Sequence, residues 1–122
     1  MHSAIAILVL VETCLYVLAS LTHAGIVLEG HEHRQAMIAE AVISAVLLLG
    51  LISLGLDRSW SRTAAIFAQS FALLGTLVGA FTIAIGVGPQ TTLDYLSHAV
   101  MILLLATGLV WLARSRSASS LG

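Results

Sequence analysis

Histidine and carboxylate side chains gather in one half of a chain that is otherwise almost free of charge. Four of the five histidines (His23, His31, His33, His98) and four of the six acids (Glu29, Glu32, Glu40, Asp94) fall near the same ends of its apolar runs. Imidazole and carboxylate are common donors to Zn, Fe, Mn and Cu, so converging groups of these types suggest a metal centre. His23, Glu40 and His98 each lie about one turn inside the end of an apolar run, and in a bundle of alternating direction they share one depth. Two imidazoles and a carboxylate from three helices make the ligand set of a mononuclear transition-metal site. Asp94, four residues before His98, completes the set or orients that imidazole as its acceptor. His31 and His33 stand just above, where they would form a lid or an entry point. A haem held by His23 and His98 ranks second, because its ligating helices should be well separated and helices one and four are neighbours in the simplest bundle. The competing reading needs no cofactor. Glu40 and His98 then satisfy each other or a hydroxyl inside the bundle, the HEH segment is a solvated loop, and Asp94 serves the start of its helix, three residues after Thr91.

The elements that must position these groups follow from composition. Hydrophobic residues make up 59% of the chain and charged ones 9%, with mean hydropathy +1.05, against roughly 25% charged residues in ordinary soluble domains. Apolar runs at about 4–28, 35–55, 63–86 and 93–113 each approach the roughly 20 residues that cross a bilayer's hydrocarbon. The expectation is one all-α domain over 1–113, an integral membrane four-helix bundle running up and down, followed by a polar cytoplasmic tail at 114–122. The connections are polar: EGHEHRQ, DRSWSR and the breaker-rich GVGPQTT, in which Pro89 ends any helix. The opening run reads as a retained helix and not a signal peptide, since no Lys or Arg precedes its apolar core and Glu12 interrupts it.

Arg58, Arg62, Arg114 and Arg116 mark one side of the membrane and Arg34 alone the other, which puts both termini in the cytoplasm of a bacterial-type inner or plasma membrane. The histidine-rich end then faces outward. Trp60 and Trp111 belong to the interfacial belt at the Arg-rich end. The third run carries small residues at Ala68, Ala72, Gly75, Gly79, Thr82 and Gly86, a stripe along which another backbone can approach closely. That helix comes from the same chain, from a second copy or from another membrane protein. With a formal net charge of -1 and no Lys, the chain lacks the basic patch a nucleic-acid partner requires. Its surroundings are lipid. Cys14 lies inside the first run and reads as a small buried apolar residue.

Glu12 is the other group with chemical potential. It sits near mid-span, eleven residues from His23 and thus about 20° away on the same helical face, with Tyr16 one turn on. An acid at that depth is a candidate proton site, or a carboxyl satisfied within the bundle. Four spans with a lone embedded acid in LVLVETCLYVL resemble the small multidrug resistance transporters. The likeness covers that one residue; the family's aromatic pattern around the acid and its third-helix motif are absent, and no activity is carried over. Three functions therefore stay in view: metal handling or redox chemistry at the outer face, an accessory subunit of a larger membrane complex, and a small proton-coupled transporter using Glu12.

Overall fold

The computed structural model describes residues 2–88 and 90–121, with side chains over 3–88 and 90–115. Four helices follow one another: α1 (His2–His23), α2 (Arg34–Leu56), α3 (Ser61–Ala84) and α4 (Thr92–Leu121), with no strand among the described residues. Their lengths follow the apolar runs, and their ends are set by backbone chemistry. α1 stops at His23, short of the expected Leu28. Gly25, at φ +79°, takes the left-handed position after the helix, and the amides of Gly25 and Ile26 return to the carbonyls of Thr22 and Leu21, the paired closure of a Schellman motif. Ile26, Val27 and Leu28 are as apolar as the helix before them but lie exposed beyond it. α3 ends the same way, with Gly86 at φ +81° and Val87 N–H bonded to Thr82 O, two residues before the expected limit. α4 overruns its expected end at 113, because the small polar residues that follow keep helical backbone as far as Leu121. The backbone of the segment expected as a polar tail is thus helical as far as Leu121. Cys14 of α1, expected to be buried, is exposed. Pro89 and the Arg116 side chain lie outside the described residues.

Helix direction alternates. Ile5 and Val9 from the start of α1, Leu54 from the end of α2, Ala65 from the start of α3 and Leu112 from the end of α4 form one buried cluster. This Arg-rich end also holds the exposed Trp60 and Trp111. A second cluster joins Tyr16, Ile43, Leu47, Ala72, Met101 and Leu105 at mid-height. Each helix packs on the next, and α4 closes lightly against α1. Arg62 secures α3 to α4 at the Arg-rich end, donating from Nε to Leu112 O at 2.8 Å.

Polarity is inverted relative to a water-soluble globule. Phe67, Leu49 and Leu103 are among the most exposed side chains, while Gln69 and Glu12 are 0% and 1% exposed. Ionisable groups turned into the bundle under an apolar exterior are what a hydrocarbon solvent selects. All four helices are long and apolar enough to cross a membrane, α4 over Thr92–Ser115.

The small-residue stripe of α3 is used within the chain. Ala68 meets Gly50 of α2, so closely that a Cβ at Gly50 would lie 2.8 Å from the alanine methyl. Gly75 faces Ile43 of α2, and Gly79 faces His98 of α4, where an added Cβ would stand 2.8 Å from Nε2. Gly86 instead serves as the left-handed residue that closes α3. Gly79→Leu should therefore destabilise the bundle by ~1–3 kcal/mol, the usual range for overpacking, as read from a detergent melt. An unchanged melting temperature would mean that His98 can leave α3 without loss.

Candidate functional site: a clamped histidine in a shared cavity

The site is assembled at helix ends. The loop after α1 returns so that His33 N–H bonds to His23 O at 2.9 Å, and Ser20 Oγ donates to Met37 O at 2.8 Å. These contacts fasten the end of α1 to the start of α2. His33 is the N-cap of α2: its Nδ1 accepts from Ala36 N–H at 3.0 Å, satisfying one of the amides a helix start leaves free. The α4 start is closed by a reciprocal capping box. Thr91 N–H and Oγ1 donate to Asp94 Oδ2 at 3.0 and 2.5 Å, and Asp94 N–H donates to Thr91 Oγ1 at 3.3 Å.

That box uses one Asp94 oxygen and leaves the other pointing inward. Asp94 Oδ1 lies 3.4 Å from His23 Nε2, and on the opposite side of the ring Glu40 Oε2 lies 2.7 Å from Nδ1. His23 is thus held between carboxylates of α2 and α4, and all three residues are buried. Only a doubly protonated imidazole can donate from both nitrogens; a neutral ring requires that one of the acids carry the proton. Where both contacts are hydrogen bonds, the trio carries a net charge of −1 in either arrangement.

His98 stands beside this trio and does not join it. Its Nδ1 donates to the Asp94 backbone carbonyl at 2.8 Å, one turn back on α4, which leaves Nε2 as the free nitrogen beside Gly79. His33 approaches from the other side, its ring 6.4 Å from that of His23 in an edge-to-face arrangement. His23, Glu40, Asp94, His98 and His33 all line one cavity of about 290 Å³ between the helices, with Tyr16 and Thr76 toward its deeper end and apolar walls that include Ile43, Val78 and Met101.

Of the residues expected to ligate a metal, His23, Glu40 and Asp94 are brought into hydrogen-bond contact and His98 into the same cavity. Yet among the described residues no group of three or more His, Cys, Asp or Glu is disposed to hold a metal ion. Both His23 nitrogens are already engaged and Asp94 is shared with the capping box, so the geometry lends no support to a Zn, Fe, Mn or Cu centre. His31 is half-buried in the loop and does not line the cavity.

A second polar layer lies deeper. Tyr16 shares a short hydrogen bond with Thr76 of α3, and Gln69 Nε2 donates to Glu12 Oε2 through another. Sequence reasoning singled out Glu12 and Tyr16 but missed their partners on α3. The signal was present: Gln69 and Thr76 lie on the stripe of Ala65, Ala68 and Ala72, and a carboxamide in mid-span needs a partner inside the bundle. Gln69 stands about as far from the start of α3 as Glu12 does from the start of α1, which sets them at one depth in helices of the same direction. No family model, no curated protein and no solved structure matches the chain, so the functional reading rests on this geometry.

Proposed function

We propose that this chain is a small proton-linked membrane transporter that binds a small organic cation in the cavity beside His23. The observation that carries the reading is the clamped imidazole: Glu40 and Asp94 hold His23 from both sides in the wall of a cavity of about 290 Å³, near the lower size limit of small-molecule pockets. The trio's net negative charge favours a cation, and the apolar walls favour one with a hydrocarbon body. A cation drawn to these carboxylates disfavours the proton that makes the imidazole a cation, since like charges at close range oppose each other. Ligand and proton then compete for the same two acids, and the coupling is reciprocal: proton release on binding implies weaker binding in acid. His33 and His98 complete the polar lining. The capping bond leaves Nε2–H of His33 as a donor, and the Asp94 carbonyl leaves Nε2 of His98 as an acceptor.

Orientation belongs to the same proposal. The Arg-rich end faces the cytoplasm of a bacterial-type inner or plasma membrane, and the cavity lies on the outer side. With Cys14 replaced by Ser, a cysteine at Glu32 should react with an impermeant thiol reagent on intact cells and one at Ser59, exposed in the turn between α2 and α3, should not. The opposite pattern would put the cavity on the cytoplasmic side.

Calorimetry on detergent-purified protein with tetraalkylammonium ions, run in two buffers of different protonation enthalpy, tests the function. We expect binding with proton release, lost in Asp94→Asn, which keeps the side chain's shape but removes its charge. Binding without proton exchange would overturn the coupling. Stoichiometric metal that is lost in His23→Ala would instead favour a metal centre.

A further inference from the structure

Deeper than the cavity, Glu12 of α1 and Gln69 of α3 meet across the centre of the bundle, almost wholly shut off from solvent. One hydrogen bond joins them, from Gln69 Nε2 to Glu12 Oε2. The remaining oxygen of each group, Glu12 Oε1 and Gln69 Oε1, is buried with no hydrogen-bond partner. The amide cannot easily turn away from this arrangement. Its carbonyl is seated against Gly108 of α4, where a Cβ would come within 2.7 Å of Oε1.

Two buried acceptors without donors are costly in an apolar bundle, because neither recovers the hydrogen bonds it gives up on burial. The ion pairs among the described residues belong to His23, and none brings a cation to Glu12. The titratable neighbour is Tyr16, one turn along α1, whose hydroxyl is engaged with Thr76 of α3. At the level of Tyr16, α2 and α4 contribute Leu47 and Leu105, both fully buried. Among the described residues, no cation stands beside Glu12, and the Gln69 N–H is the one donor it receives. One proton resolves both deficits, because a carboxylic acid and a carboxamide are complementary: the amide N–H donates to one acid oxygen while the acid O–H donates to the amide oxygen.

We propose that Glu12 and Gln69 form a proton-binding site at the centre of the bundle, in which Glu12 is the neutral acid and donates to the Gln69 carbonyl. This site is separate from the cavity trio and does not depend on what the cavity binds. Tyr16 and Thr76 stand between the two, so a proton released from Glu12 toward the cavity meets hydroxyl groups first.

Infrared spectroscopy of the full-length protein in lipid nanodiscs at neutral pH tests the assignment. The wild type should show the carbonyl stretch of a protonated carboxylic acid, displaced in D₂O and lost in Glu12→Gln. That variant should keep the wild-type melting temperature, because a second carboxamide supplies the same donor and acceptor. Gln69→Leu, which retains the acid but removes its acceptor, should move the band to the position of an acid with a free O–H, and this remains readable should Glu12→Gln fail to fold. Absence of the band in the wild type, or its persistence unchanged in both variants, would overturn the proposal. A melting temperature that rises with sodium concentration while no acid band is present would assign the two oxygens to a metal cation and overturn it as well.

Discussion

Glu40→Ala should cost ~3–5 kcal/mol of stability, the usual penalty for removing one partner of a buried ion pair. The loss exceeds that of the hydrogen bond alone. With Glu40 gone, His23 Nδ1 faces the cavity with no acceptor, and the longer contact to Asp94, at 3.4 Å, must hold the ring unaided. Glu40→Gln separates charge from shape, because the amide oxygen still accepts from Nδ1–H but no longer favours the imidazolium. The glutamine variant should recover most of the stability and none of the cation binding. Equal melting temperatures for wild type and Glu40→Ala would show that His23 is already satisfied by Asp94 alone.

The second large effect concerns the deeper pair. Gln69→Leu leaves Glu12 with no hydrogen-bond partner in an apolar environment and should destabilise by ~1–3 kcal/mol, the penalty for an unsatisfied buried polar group. Removing both groups in Glu12→Leu/Gln69→Leu should restore much of that stability, because replacing both partners by apolar side chains leaves nothing unsatisfied. The double-mutant cycle therefore predicts strong coupling between positions 12 and 69. Additive losses would mean that the two side chains are satisfied independently.

The architecture was legible because apolar run length is a direct consequence of bilayer thickness, and four runs of the right length leave little choice of fold. Helix ends were less so. Hydropathy counts Ile26, Val27 and Leu28 as readily as Leu21, whereas the end of α1 is decided by Gly25 and two amides. The site was half legible. Shared depth brought His23, Glu40, Asp94 and His98 to one place, but depth says nothing of rotation, and rotation decides that His23 is the clamped ring while His98 turns its Nδ1 to the backbone. By position Asp94 suits either a capping acid or a site residue; its two oxygens divide those roles. Gln69 carries no charge to mark it within an apolar run, although burial constrains a neutral amide by the same rule as an acid.

The light contact of α4 against α1 has a consequence for how the molecule is made. Chains emerge from the ribosome in order, and α1, α2 and α3 can associate through their consecutive interfaces, with Glu12–Gln69 and Tyr16–Thr76 reaching across from α1 to α3, before α4 is available. Asp94 and His98 both arrive with that last helix. The hydrogen bonds of the deep polar layer join α1 to α3, while the cavity acquires its second carboxylate only with α4. Until α4 docks, His23 has Glu40 as a partner for Nδ1 and no Asp94 for Nε2, so the two-sided clamp is a mark of the assembled bundle.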